Sequence, residues 1–204
     1  MPVRNPNPTR DHLYPRQDMM RTTLRALFAA AAFVPAGLMA QAKAPAIDDA
    51  AIVGIFDIAN TWDIATGQLA AQKASRQDVK DFGAMLARDH KIVQGQGRDL
   101  AARLKVTPTP VPNDFALKVQ HEAAMKKLQG LSGPAFDKAF LEHEVAYHGA
   151  VIDAVTRSFL PAIKSIELKA FVEKVAPAFV AHKQAAEQLL KGLSAGDHGE
   201  HTKN

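Results

Sequence analysis

The chain has 204 residues, with 25 Lys and Arg against 21 Asp and Glu, 47% apolar residues, 6% aromatic residues and no cysteine. That is a globular composition, of a size for one principal domain. The missing cysteine excludes disulfide scaffolds, thiolate metal sites, iron–sulfur clusters and cysteine nucleophiles. A formal charge of +4 and a pI near 9.3 invite a nucleic-acid reading, which depends on where the charges lie.

Most of the excess lies at the front. Arg21 and Arg25, with Leu24 between them, lead into an apolar run to Val34 (Leu27, Phe28, Ala29–Ala32, Phe33), broken by Pro35 and Gly37 and followed by Ala40–Gln41–Ala42. A basic segment, a short apolar stretch and an A-x-A site predict a secretory signal peptide over 19–42. The apolar stretch is too short for an ordinary transmembrane helix, so no stable membrane anchor is expected after cleavage. Residues 1–18 fit no export signal and read as a misassigned upstream start, with Met19 or Met20 as the true one. Of the charges, five Lys/Arg and two Asp/Glu fall in residues 1–42, leaving 20 against 19 in the other 162 residues. The basic pI belongs to the leader, and no nucleic-acid partner is expected.

After a linker over 43–47, a folded domain is expected over 48–193. The spacing predicts a first helix over 48–74, with Ile52, Phe56, Ala59 and Ala70 on one stripe and Asp48 and Asp49 at its N-terminal end. Ser75–Arg76–Gln77–Asp78 resembles a capping box that restarts a second helix, running to about Lys105. Pro108, Pro110 and Pro112 end it. Asn113 is expected to cap a short helix from Asp114 to Leu128, and Ser132 a long one reaching about Phe159. A last helix runs from about Ile166 to Leu190, kinked by Pro177. Residues 194–204 form a polar, mobile tail. No β alternation is present. Two helical hairpins joined by a long crossover match an all-α, ferritin-like four-helix bundle.

Each long helix points an ionisable side chain into its apolar stripe. At 100° per residue Asp63 lies with Ile52 and Phe56, and His90 with Val79 and Leu86. Glu144, His148 and Asp137 lie with Leu141 and Ile152, and His182 with Phe171 and Val175. Buried charge is costly unless it is paired, neutralised or metal-bound. His90, His148 and His182 with Asp63 and Glu144 form a ligand set suited to iron, zinc, manganese or copper, with Asp89 and Asp137 behind it. Counted along the axes, Asp63 and His90 differ in depth by ~5 Å and His148 and His182 by ~8 Å. The competing reading is a network of carboxylates and imidazoles that only fixes helix register.

Other motifs fall away. His143–Glu144 would need a second histidine where Tyr147 stands, so the zinc-protease HExxH pattern fails. Gly192–Leu193–Ser194–Ala195–Gly196 spells a nucleophile elbow but follows a helix, not a strand. The Glu-x-x-His pairs of di-iron bundles are missing, with Ala87 before His90 and Phe179 before His182.

Asp63–Ile64, Gly67–Gln68–Leu69–Ala70–Ala71–Gln72–Lys73–Ala74, Met85 with Asp89–His90, Phe136–Asp137–Lys138–Ala139–Phe140 with His148, and Pro177 with His182 carry a resemblance. Over about residues 48–192 the sequence is similar to an exported bacterial family known as domain of unknown function 4142. That resemblance implies a ferritin-like bundle sent to the envelope, in the periplasm or associated with the outer membrane, and no established activity. The expectation is a binding or stress-related envelope protein rather than an enzyme, with a transition metal at the buried cluster. An envelope interaction module with a protein partner and a ferritin-like redox enzyme are the alternatives.

Overall fold

The computed structural model describes residues 47–197, and the leader, the start of the linker and the tail from residue 198 lie outside the described residues. Every regular element among them is helical. α1 (Asp49–Lys73) and α2 (Gln77–Leu104) form one hairpin. α3 (Ala116–Gly130) lies in the crossover. α4 (Gly133–Ala154) leads through a π turn (Val155–Phe159) and the single turn α5 (Leu160–Ala162) to α6 (Ile166–Asp197), the second hairpin. α1 packs along α2 and α4 along α6, and the hairpins meet through α2 against α6 and α1 against α4. No helix of the described residues is long and apolar enough to cross a membrane.

Local chemistry explains the boundaries, with some corrections to the sequence reading. Asp48 caps α1 as expected, its Oδ1 accepting from Ala51 N at 2.8 Å. The capping box at Ser75 does not form. Instead Asp137, at the start of α4, accepts from Ser75 N, Ser75 Oγ and Arg76 N at 2.7–2.9 Å, capping α2 from the other hairpin. Asp49 returns the favour at the opposite end, accepting from Lys164 N and Ser165 N at 2.9 Å in the turn before α6. Asn113 does not cap α3, whose N-cap is Phe115; its side chain accepts from Lys118 Nζ at 2.7 Å. Ser132 stands at the N-cap of α4 without a side-chain cap bond.

The fourth helix ends differently from the expected unbroken run to Phe159. Pro161 has no N–H, and its ring crowds the carbonyl four residues earlier, so the chain widens into a π turn in which Leu160 N bonds Val155 O. α6 passes through Pro177 and continues to Asp197, beyond the expected end at Leu190 and into the segment read as a mobile tail. Two glycine contacts set the close approaches. Gly67 and Gly83 face each other where α1 crosses α2, and a Cβ on Gly67 would lie 2.6 Å from Gly83 O. A Cβ on Gly54 would lie 2.0 Å from Thr109 O, where the proline-rich crossover runs over α1 and Thr109 N bonds Ala50 O.

The apolar interior is in two parts. One, at the α1–α2 turn, gathers Ala70, Val79, Phe82, Leu86, Phe136, Phe140 and Leu141. The other, at the far end, gathers Ile52, Leu100, Val155, Phe159, Leu168, Val172 and Phe179. On every long helix the stretch between these two sets carries buried polar residues, and Asp137 alone of the described ones on the long helices lies outside it. A polar layer therefore divides the core.

Candidate metal centre

Asp63 on α1, His90 on α2, Glu144 and His148 on α4, and His182 on α6 are all buried in that layer, at 0–6% exposure. The rings of His90 and His148 lie 5.5 Å apart, those of His90 and His182 5.1 Å, and those of His148 and His182 5.4 Å. His148 and His182 thus meet despite the ~8 Å depth offset counted for straight α-helices. A π turn and the 163–165 loop lie between their helices.

Each imidazole has one nitrogen held from behind and one turned to the centre. His90 Nδ1 bonds Asn60 Oδ1 at 2.9 Å, and Asn60 is fixed by its own Nδ2 donating to Phe56 O at 2.7 Å. His148 Nδ1 lies 3.1 Å from Glu144 O and 3.3 Å from Glu144 Oε2. His182 Nε2 lies 3.4 Å from Asp89 Oδ2. The three remaining nitrogens, His90 Nε2, His148 Nε2 and His182 Nδ1, are buried without a hydrogen-bond partner. Histidines that ligate metals are oriented in this way, by an acceptor on the far nitrogen. His90, His148 and His182 each offer a nitrogen within 4.8 Å of the others, and Asp63, Glu144 and His148 form a second such group.

Asp63 closes the fourth side. Its Oδ2 is 3.3 Å from His90 Nε2 and 3.9 Å from His148 Nε2, and its Oδ1 has no partner. Ligand atoms about 2.1 Å from a tetrahedral ion stand about 3.4 Å from one another, so a small inward movement of the rings closes the group around an ion. Burial pushes the Asp63 carboxyl well above the usual range. Burial also pushes Glu144 up, but the hydrogen bond and charge of His148 outweigh it and hold Glu144 below its ordinary value. His148 is raised to about 9, because Asp63 and Glu144 beside it overcome burial. Burial, with two neighbouring imidazoles, lowers His90 to about 2. Without an ion, positive charge gathers on His148, where lone pairs and carboxylates converge.

Six of the seven residues singled out from the sequence come together. Asp89 stands behind His182, its Oδ2 3.4 Å from His182 Nε2. Asp137 does not join them: it is buried at the α2 N-terminus, engaged with Ser75 and Arg76. Asn60 was missed, although it lies three residues before Asp63 on the same face, and a buried asparagine within a helix is a polar signal of its own. His121 on α3 was also missed. It stacks on Trp62 at 5.4 Å, and its spacing of seven from Leu128 marks the one face that α3 buries. His198 and His201 lie outside the described residues.

The model of a family described as a domain of unknown function, DUF4142, matches residues 34–189. The chain belongs to this family. No curated protein matches the sequence. Among solved structures, this DUF4142 chain is similar to "CopM in the Cu(II)-bound form", with a TM-score of 0.58 and 14% identity, covering 72% of this chain and 98% of that one. At that identity the likeness concerns the fold: a DUF4142 chain and CopM share an all-helical architecture.

Proposed function

We propose that this protein is an exported envelope protein that binds one transition-metal ion between its helices. His90 Nε2, His148 Nε2 and His182 Nδ1 are the nitrogen ligands, with Asp63 as the oxygen ligand. Glu144, Asp89 and Asn60 orient the rings. The observation that carries the reading is the three partnerless imidazole nitrogens turned to one point, each with its far nitrogen held. Without an ion the proton on His148 supplies the positive charge at that point; a bound cation displaces it, and the lone pairs of all three imidazoles then converge on the ion. An imidazole and carboxylate set suits copper, zinc or iron. The likeness to a protein solved with Cu(II) makes copper the first ion to try. The arrangement fits a ferritin-like four-helix bundle with a mononuclear site. The protein acts as a metal-binding or stress-related component of the envelope, not an enzyme, and a redox enzyme with a carboxylate-bridged metal pair lacks its Glu-x-x-His motifs.

One observation favours a second reading. His148, raised to about 9 between Asp63 and Glu144, also makes a buried charge network that would fix helix register. Metal analysis of untagged protein recovered from the periplasm separates the two. Metal binding predicts close to one equivalent of ion, and a melting temperature that falls on chelation. Less than about a tenth of an equivalent, with melting unchanged by chelator, leaves the register network as the function of the layer.

A further inference from the structure

A cavity of about 400 Å³ runs beside α1 to the metal centre. Asn60, Asp63 and His90 form its inner end, and Phe179, stacked on His90 at 5.9 Å and 7°, covers one side of that end. Elsewhere the walls are almost wholly apolar, from Phe115 and Leu117 of the α3 segment to Val155 and Phe159 of the π turn. Among the described residues no lysine or arginine lines it. The volume falls within the range of small-molecule sites, roughly 300–1,000 Å³.

Three features point to a ligand. His90 and Asp63, at the inner end, are only 3% exposed, and each carries a buried polar atom without a hydrogen-bond partner, Nε2 and Oδ1. The wall is built by a π turn, a geometry that departs from α-helix to reposition side chains and recurs at functional sites; Val155, Ser158 and Phe159 of its five residues face the cavity. The site itself supplies three imidazoles and one carboxylate, and a metal that takes a fifth ligand would take it from this side. His148 and His182 do not line the cavity and are buried, at 0% and 6% exposure.

We propose that this cavity is a ligand site of the metal centre, taking an uncharged, apolar small molecule that carries one lone-pair donor atom. The apolar body fills the space between α1, α3 and the π turn, and the donor reaches the ion on the Asp63–His90 side. The ion repels a cation, and the apolar walls would leave any charge beyond the donor atom desolvated and unpaired. This inference rests on the metal-binding reading.

The test loads the full chain with Co(II) and titrates it with imidazole and with 4-phenylimidazole, following the visible Co(II) bands. The two probes share a donor and differ by one apolar ring. The expected result is that 4-phenylimidazole binds about tenfold or more tightly than imidazole. Ala154→Leu and Ala116→Trp, on opposite walls and away from the ligands, should abolish that preference while Co(II) uptake stays unchanged. Two variants on different helices keep the test decisive if one fails to fold. Equal affinity for the two probes in Co(II)-loaded protein overturns the ligand site and leaves the metal site standing. A preference that survives in both variants places the ring elsewhere and overturns it too. Failure to take up Co(II), with copper and zinc also refused, overturns the metal reading and the ligand site together.

Discussion

At the residue scale, the polar layer works through side chains that never reach its centre. Asn60 holds His90 in the tautomer that leaves Nε2 free, and it can do so only because Phe56 O fixes its amide. Asn60→Ala should therefore weaken metal binding roughly 10–100-fold with helix content unchanged, as competition titration against a metal-binding dye would read. His121 permits a cleaner pH prediction, because it stacks on Trp62 away from the ligand nitrogens. Burial, then the neighbouring His143, lowers it to about 4. The unfolded chain protonates this group near 6.5, so between that pH and about 4 the unfolded state binds more protons. Its contribution to stability is present above about 6.5 and is lost as pH falls toward 4. The loss in urea midpoint from pH 7 to pH 5 should be smaller in His121→Phe, which keeps the stack, than in the parent. An equal loss in both would contradict the assignment.

At the scale of elements, the α1–α2 crossing depends on two glycines. A methyl group on Gly67 meets backbone on the facing helix, with Ala87 N at 2.9 Å besides Gly83 O. Backbone cannot yield as a side chain can, so Gly67→Ala should cost about 3 kcal/mol in chemical denaturation. Gly95, on the same helix as Gly83, has nothing within 4 Å of its would-be Cβ. Gly95→Ala should stabilise by up to about 1 kcal/mol, through helix propensity alone. The pair distinguishes a packing glycine from an incidental one. The helices themselves were legible in the sequence, because a 3.6-residue period over more than twenty residues has few other solutions. Their ends were less so. Ser75 and Asp78 satisfy the local capping pattern, yet Asp137 offers Ser75 and Arg76 a buried carboxylate that wins over a solvated one. The π turn was hidden for a related reason: Pro161 announces a disruption but not how the chain will absorb it.

For the whole molecule, the polar layer could be read from the sequence because four helices broke the same rule, although the counted depths of His148 and His182 did not match. One buried histidine is ambiguous; Asp63, His90, Glu144, His148 and His182 between two apolar cores are a pattern. What no helical wheel can supply is the second tier. Asn60 bonds across to α2, Tyr147 Oη donates to Ala59 O at 2.9 Å, and Gln94 Nε2 donates to Asp57 O and Thr61 Oγ. Such bonds depend on the rotation of one helix against another, which periodicity leaves free.

The exchanged carboxylates have a consequence for how the chain folds. Asp137 closes the turn of the first hairpin from 62 residues away, and Asp49 closes the approach to α6 from 115. Neither hairpin holds its own corner, so neither has a finished form before the other arrives, and pairing is a condition of completion. Trp62, the single tryptophan, sits in one hairpin, whereas far-ultraviolet dichroism reports helices in both. In thermal unfolding of the metal-free protein, the two signals should share one midpoint within about a degree. A tryptophan transition well separated from the helical one would mean that the hairpins come apart as independent pieces. A shared midpoint is what a chain with no half-folded state must give.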